Sequence, residues 1–335
     1  MSTVAILANP SSGKDIRRLV AHGSVFDNQE KVRMVRRLIL GLERSGATRI
    51  LYMPDGYGIV PRALNAISPS IPVEAVEMPI RNNQTDTSIA AGVMETLGAQ
   101  CLVVLGGDGT SRAACKGSVA VPLLPLSTGT NNVFPLMGEA TVAGLAAGLV
   151  ATGRLPREDC CYRSCMFDIL LDGEVVDLAL VDAAVYDDVF LASRAIWQID
   201  KVPQLFLTRC GASSIGLSAI GGQLRSIRPE EPRGLALRLG EGSPVTVTAV
   251  IAPGMFADVP VRSITEMAPG EIFCVDVSPG LIAVDGEREV EIPRGSRAAV
   301  RLNTQGPLVV DVERTMAAAR ENGLFVNRHN RKEPA

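Results

Sequence analysis

The sequence predicts an α/β fold: a doubly wound parallel sheet at the N-terminal end, followed by a second, antiparallel β-rich part. Three observations predict it. Short apolar runs alternate with helix-spaced segments through the first half of the 335 residues. A glycine-rich corner interrupts that alternation directly after one of the runs. Beyond about residue 160 the pattern changes to short alternating runs separated by turn residues. Strand–helix alternation is the signature of a parallel sheet covered on both faces, and turn-punctuated alternating runs are that of antiparallel strands.

Val4–Ala8 reads as the first strand. Residues 28–45 follow as a helix, because Val32, Val35, Leu38, Ile39 and Leu42 recur at helical spacing. Asp27 with Glu30 forms a capping-box pattern at its start, and Gly46 supplies the stop. Arg49–Met53 is the next strand, residues 61–67 a helix, Val73–Val76 a third strand. Thr87–Leu97 reads as a helix with Ile89, Val93 and Leu97 on its apolar stripe. Leu102–Leu105 and Val121–Leu126 are fully apolar strands.

In the second half, Phe167–Leu171 and Val175–Leu180 flank Asp172-Gly173, a hairpin turn pair. Further strands are expected at 235–239, 245–251, 272–277, 281–284 and 298–302, and a helix at 312–323. The expected division is residues 1–155 for the α/β domain, 156–310 for the β-rich domain, and 311–335 for a terminal helix and tail returning to the first domain.

Composition excludes several classes of function. Net charge is −3, so no basic excess exists to neutralise a nucleic-acid backbone. Aromatic residues make up 4%, which leaves few base-stacking platforms. The two histidines, His22 and His329, lie near opposite ends, which argues against a histidine triad or zinc chemistry. Seven cysteines, an odd number without a C-x-x-C pair, fit a reducing compartment. Cys160, Cys161 and Cys165 lack a second half-site for zinc. No leader pattern and no apolar run of spanning length occurs, so a cytoplasmic protein without stable membrane insertion is expected.

The chemistry concentrates in Gly106-Gly107-Asp108-Gly109-Thr110, between an apolar strand and a helix-compatible segment. Glycines permit tight turns and close ligand approach, and a helix N-terminus offers free N–H groups to phosphate. An aspartate in such a corner either binds Mg²⁺, accepts a proton from an attacking hydroxyl, or merely caps the helix. The pattern is neither the P-loop nor the dinucleotide fingerprint.

This corner resembles the signature of the NAD-kinase, diacylglycerol-kinase and sphingosine-kinase superfamily. Three further segments agree in order. Asn9-Pro10-Ser11-Ser12-Gly13-Lys14 is similar to the opening motif of the lipid-kinase branch, and Thr128-Gly129-Thr130-Asn131-Asn132 to the loop after the next strand. Gly211-Ala212-Ser213-Ser214-Ile215-Gly216-Leu217-Ser218-Ala219 with Gly221-Gly222 is similar to a glycine- and serine-rich stretch of NAD kinases. Within the superfamily, Tyr186-Asp187-Asp188-Val189-Phe190 and the 217–222 segment resemble the AcoX-type branch of ATP-NAD kinase relatives, associated with acetoin catabolism.

The resemblance implies an ATP- and Mg²⁺-dependent kinase acting on a hydroxyl of a small molecule, with NAD the first acceptor. The alternatives are another hydroxylated metabolite linked to acetoin breakdown, a lipid, or a non-catalytic nucleotide sensor. It implies Asp108 as catalytic residue, and Asn9, Ser12, Lys14, Gly106, Gly107, Gly109, Thr110, Thr130 and Asn131 as nucleotide and phosphate ligands. Asn132, Asp182, Ser213, Ser214 and Ser218 would face the substrate. It also implies a homo-oligomer. Two departures bear on the acceptor: Val181-Asp182 stands where NAD kinases carry Asn followed by an acid, and Ile215 where they carry tyrosine. Asp285-Gly286-Glu287 is similar to a lipid-kinase segment but also reads as a plain hairpin turn.

Overall fold

The computed structural model describes residues 2–13, 26–187, 199–286 and 288–326. The strands of the first half are β1 (Thr3–Ala8), β2 (Arg49–Tyr52), β3 (Val73–Ala75), β4 (Cys101–Gly106) and β5 (Leu123–Ser127). The helices between and after them are α1 (Asn28–Ser45), α2 (Ile59–Leu64), α3 (Gln84–Thr96), α4 (Asp108–Gly117), α5 (Ala140–Thr152) and α6 (Arg157–Cys160). Then come β6 (Cys161–Arg163), β7 (Met166–Leu171), β8 (Glu174–Ala179), β9 (Asp182–Tyr186), β10 (Gln204–Leu207), α7 (Ser218–Gly222), β11 (Gly234–Leu239), β12 (Val245–Ala252) and β13 (Met255–Met267). The chain closes with β14 (Ile272–Cys274), β15 (Gly280–Val284), β16 (Arg288–Ile292), β17 (Ala298–Asn303), β18 (Leu308–Val310) and α8 (Val312–Glu321).

The first sheet has the order β3-β2-β1-β4-β5-β18-β6. Its pairs are parallel except β18–β6. Strand alternation divides its core: Val4, Ile6 and Ala8 face α1, α2 and α5, while Ala5 and Leu7 face α3 and α4. The chain fills one side of β1 with β2 and β3, then returns to add β4 and β5 on the other. In open α/β sheets the crevice beyond the C-terminal ends of the strands at such a reversal is where ligands bind. Here that crevice lies past Ala8 and Gly106.

The remaining strands form two antiparallel sheets, β12-β13-β11-β10-β9-β15-β16 and β14-β17-β7-β8. The turn at Asp172-Gly173 is the expected hairpin, with φ of 51° and 92°. Helix α8 returns to the parallel-sheet lobe, where Ala319 is fully buried in the same cluster as α1 and α5.

Helix α1 has the expected bounds. The Asp27 side chain accepts the N–H of Glu30, and Gly46 is left-handed at φ 95°. Helix α3 corrects the expected stripe. Ala90, Ala91 and Met94 are its buried apolar residues, whereas Leu97 is 43% exposed. The reason is close approach to α4: a Cβ on Gly117 would stand 2.0 Å from the Ser88 carbonyl oxygen, so the contact face is the small-residue one. Helix α5 was not expected. Its sequence is apolar on every side and offers no amphipathic stripe. It packs on α1 where Gly41 and Gly144 bring the two backbones together.

Candidate functional site

Three loops converge at the crevice, and each continues a parallel strand. Asn9 leaves β1, and its N–H donates to the Leu105 carbonyl of β4. The Asn9 Nδ2 donates to Thr110 Oγ1 at 3.0 Å, and Ser12 Oγ lies 3.0 Å from Thr128 Oγ1. The Thr128 N–H donates to the Gly106 carbonyl. Asn9, Ser12 and Thr110, expected on sequence grounds to meet phosphate, thus join with Thr128 in one rim.

Glycine is required in the corner by proximity rather than by left-handed backbone. A Cβ on Gly106 would lie 2.4 Å from the Thr110 side chain, and one on Gly107 2.8 Å from Asn132 Oδ1. Gly107 itself has φ −105°, an ordinary extended value. Helix α4 begins at Asp108 without a side-chain cap, so the carboxylate does not serve as one. It reaches across instead: Asp108 Oδ1 accepts the N–H groups of Val133 and Phe134 at 3.0 and 2.8 Å. The N-cap of α4 is Gly107, and the N–H groups of Thr110 and Ser111 donate to its carbonyl.

Opposite this rim stands the β-rich lobe. The cleft between them is lined by Asp108, Asn131 and Val133 on one side, and by Asp182, Ile215, Gly216, Leu217, Ile251, Asp285 and Gly286 on the other. Asn131 brings both side-chain polar atoms into it buried and without a hydrogen-bond partner. Asn132 does not line it; its Nδ2 donates to Ser127 Oγ at 2.7 Å and braces the loop. Ser213 is exposed, and Ser214 Oγ accepts the Gly211 N–H within its own turn. Ser218 is fully buried with an unpartnered hydroxyl behind Leu217. Of the 211–219 stretch, it is the backbone and side chains of residues 215–217 that form the wall. Thr130 is exposed at the loop tip. Lys14, Asp188 and Glu287 lie outside the described residues.

Sequence reasoning missed several residues. Lys31 is completely buried, and its Nζ donates to the carbonyls of Asn9 and Ser12 at 2.9 and 2.6 Å and to Asn28 Oδ1 at 3.0 Å. It holds the underside of the first loop. The available signal was its place on the apolar stripe of α1, in register with Val35, Leu38 and Leu42. Arg112, one turn beyond Asp108 on α4, is 1% exposed. Its Nη1 lies 3.0 Å from Asp177 Oδ1 and its Nε 3.6 Å from Asp285 Oδ2. Lys116 adds a 2.8 Å contact to Asp177. Two cations thus balance two buried carboxylates, the condition under which burying charge is tolerated. Arg209 reaches the other way, its guanidinium 4.5 Å above the Phe134 ring.

Asp285 occupies the hairpin turn that its sequence suggested, with φ 51°. It is more than a turn residue. The buried carboxylate accepts the N–H groups of Leu180 and Val181 at 3.0 and 2.8 Å, and that of Asp182 at 3.3 Å. Burial pushes its pKa up, against the pull of Arg112 and those three N–H groups. Burial also acts to raise Asp177, but there the Lys116 hydrogen bond and the Arg112 charge prevail and hold the pKa down. Among the described residues no three His, Cys, Asp or Glu side chains gather into a metal-holding cluster, and no helix is long and apolar enough to cross a membrane.

A glycine-rich corner at the switch point of a parallel sheet, faced by an antiparallel lobe, defines a two-lobed kinase-like α/β protein. Residues 4–154 match the ATP-NAD kinase N-terminal domain, and residues 165–305 match the acetoin catabolism protein X C-terminal domain. The chain is 36% identical over 336 residues to acetoin catabolism protein X of Cupriavidus necator, covering 96% of this chain and 93% of that protein. It belongs to the acetoin catabolism protein X family. Among solved structures it is similar to a diacylglycerol kinase from Bacillus anthracis str. Sterne, at 11% identity and TM-score 0.47, covering 92% of this chain and 96% of that one.

Proposed function

We propose that the chain is a phosphotransferase that moves the γ-phosphoryl group of ATP to a hydroxyl of a small molecule held in the interlobe cleft. The observation that carries this reading is the placement of Asp108: it lines the cleft, in the first turn of α4, beside a rim of hydroxyls and amides from three strand ends. Phosphoryl transfer asks for alignment and charge stabilisation more than covalent chemistry, and this arrangement offers both. The acceptor oxygen attacks the γ-phosphorus, the bond to ADP breaks, and the hydroxyl proton passes to Asp108 or is positioned by it.

Magnesium is implied by the kinase fold. It keeps several waters and binds through one or two carboxylates plus substrate phosphates, so it requires no protein cage. The oxygen donors of the rim fit that habit; where Asp108 holds the ion, it positions the hydroxyl rather than taking its proton. When bound, the ion neutralises phosphate charge.

NAD is the first acceptor to test, from the match to the ATP-NAD kinase domain. A second reading, a different hydroxylated metabolite, is favoured by two side chains. Val181 is fully buried in the core and Ile215 lines the cleft, and neither hydrogen-bonds a ribose or a base. Purified protein with ATP and Mg²⁺ is screened against NAD, NADH, acetoin-pathway metabolites and diacylglycerol by ADP release. Turnover with NAD supports the first acceptor, turnover with another metabolite the second. Turnover with none rejects phosphotransfer in favour of nucleotide sensing. Asp108→Asn is expected to lower kcat by about 10²–10⁴.

A further inference from the structure

We propose that Arg112 is a positioning residue, a strut that sets the spacing of Asp108 and Asp182 across the cleft. The proposal rests on the cleft being the place of phosphotransfer. Arg112 follows Asp108 by four residues on α4 and so lies on the same helix face. Its guanidinium leaves the parallel-sheet lobe altogether and ends, buried, between two carboxylates of the β-rich lobe. One is Asp177 of β8. The other is Asp285, at the corner between β15 and β16.

The chain of contacts then returns to the cleft. Asp285 accepts the main-chain N–H groups of Leu180, Val181 and Asp182, and its own N–H donates to the Asp182 carbonyl at 3.0 Å. Thr208 fixes the same segment from below through the Leu180 carbonyl at 2.6 Å. Asp182, so held, lines the wall that faces Asp108. A path of contacts therefore runs from the helix carrying Asp108, through Arg112 and across a 3.6 Å ion pair to Asp285, and on to the strand carrying Asp182.

Charge balance is one part of what Arg112 does, since Arg112 and Lys116 are the two cations beside Asp177 and Asp285. Lys116 already neutralises Asp177 at 2.8 Å. What Arg112 adds is reach: its guanidinium hydrogen-bonds Asp177 through Nη1 and stays in ion-pair range of Asp285 through Nε, where an ammonium addresses one carboxylate. Because a misplacement of about 1 Å remote from the chemistry costs about 10² in rate, such a strut acts on turnover.

The test compares Arg112→Lys, Arg112→Met, Asp285→Asn and the double variant R112M/D285N with the wild type. Steady-state kcat and KM for ATP with Mg²⁺ are measured beside urea unfolding. Both Arg112 variants are expected to lose about 10² in kcat, with the KM for ATP within about threefold, because the rim contacts of Asn9, Ser12, Thr110 and Thr128 run through other side chains. The double variant is expected to be no slower than R112M and to unfold at higher urea, since the orphaned carboxylate is gone. Wild-type kcat in R112K, a loss confined to KM for ATP, or single effects that multiply in the double variant would each overturn the strut. If the wild type turns over no acceptor, the phosphotransfer reading alone falls. The strut is then decided by the urea cycle: coupling above about threefold in the unfolding constant supports it, and additivity overturns it.

Discussion

Two Asp-Gly corners of the β-rich lobe share a backbone and differ in everything else. Asp172-Gly173 joins β7 to β8 with φ of 51° and 92°; Asp285-Gly286 joins β15 to β16 with φ of 51° and 70°. Asp172-Gly173 is a two-residue loop between the paired Leu171 and Glu174, and Asp285-Gly286 opens a three-residue connection between the paired Val284 and Arg288. The Asp172 carboxylate is at the surface, accepting the Arg297 N–H at 2.8 Å. The Asp285 carboxylate is wholly buried, holds three main-chain N–H groups of another segment, and faces Arg112 from the other lobe. The dipeptide therefore specifies a turn. The environment, which a dipeptide does not encode, decides whether its carboxylate is a surface ornament or a joint between lobes.

The sharpest way to break this comparison is truncation. Asp285→Ala leaves three buried N–H groups unpaired and Arg112 with a single carboxylate, so a loss of about 3–5 kcal/mol is expected. Asp172→Ala, at a solvated corner, is expected to leave the urea midpoint nearly where it was. Urea unfolding of the two variants checks both. Equal midpoints would mean that the buried contacts contribute no more than the exposed one.

The same contrast explains what the sequence made legible. Local signals sufficed wherever structure is decided locally. The Asp27 cap and the Gly46 stop bounded α1, the Asp-Gly pairs placed their hairpins, and the apolar strand before Gly106 located the glycine-rich corner. The rim residues Asn9, Ser12, Thr110 and Asp108 were legible because each follows a strand of one parallel sheet. Their mutual contacts follow from strand order. The far wall was not legible, because it is assembled from residues 182, 215–217, 251 and 285–286, which only the antiparallel pairing of β9 with β10 and β15 brings together. Serines 213, 214 and 218 were expected to supply hydroxyls there, but the turn at 211–216 presents Ile215, Gly216 and Leu217 instead. Arg112 escaped notice for the opposite reason. A charged residue in a polar-looking helix start gives no hint that the other lobe closes over it.

Substituting the glycines sharpens the comparison by isolating the backbone that the corners share. Both glycines are left-handed, so Gly173→Ala and Gly286→Ala each force a Cβ into that region at about 1–2 kcal/mol. Near-equal losses in urea unfolding are expected at the two corners, despite their unequal aspartates. A much larger loss at Gly286 would show that the buried corner owes its rigidity to backbone fit as well as to the carboxylate.

The smallest and most discriminating effect is in pH dependence, because the two aspartates are shifted in opposite directions. The Arg297 N–H, with help from Ser296, holds Asp172 below the usual carboxylate range. Its contribution to stability is present above the unfolded value of about 3.9 and is lost as pH falls through the folded one. Burial moves Asp285 the other way, above that range. Its contribution is complete below the unfolded value and is lost as pH rises through the folded one. Urea midpoints of the wild type, Asp172→Asn and Asp285→Asn are therefore expected to diverge in opposite senses. The gap between wild type and D172N closes in acid, while that between wild type and D285N is widest there and narrows toward neutrality. Gaps that open and close together would mean that the buried carboxylate keeps its charge as readily as the exposed one, with Arg112 and three N–H groups replacing the water it lost.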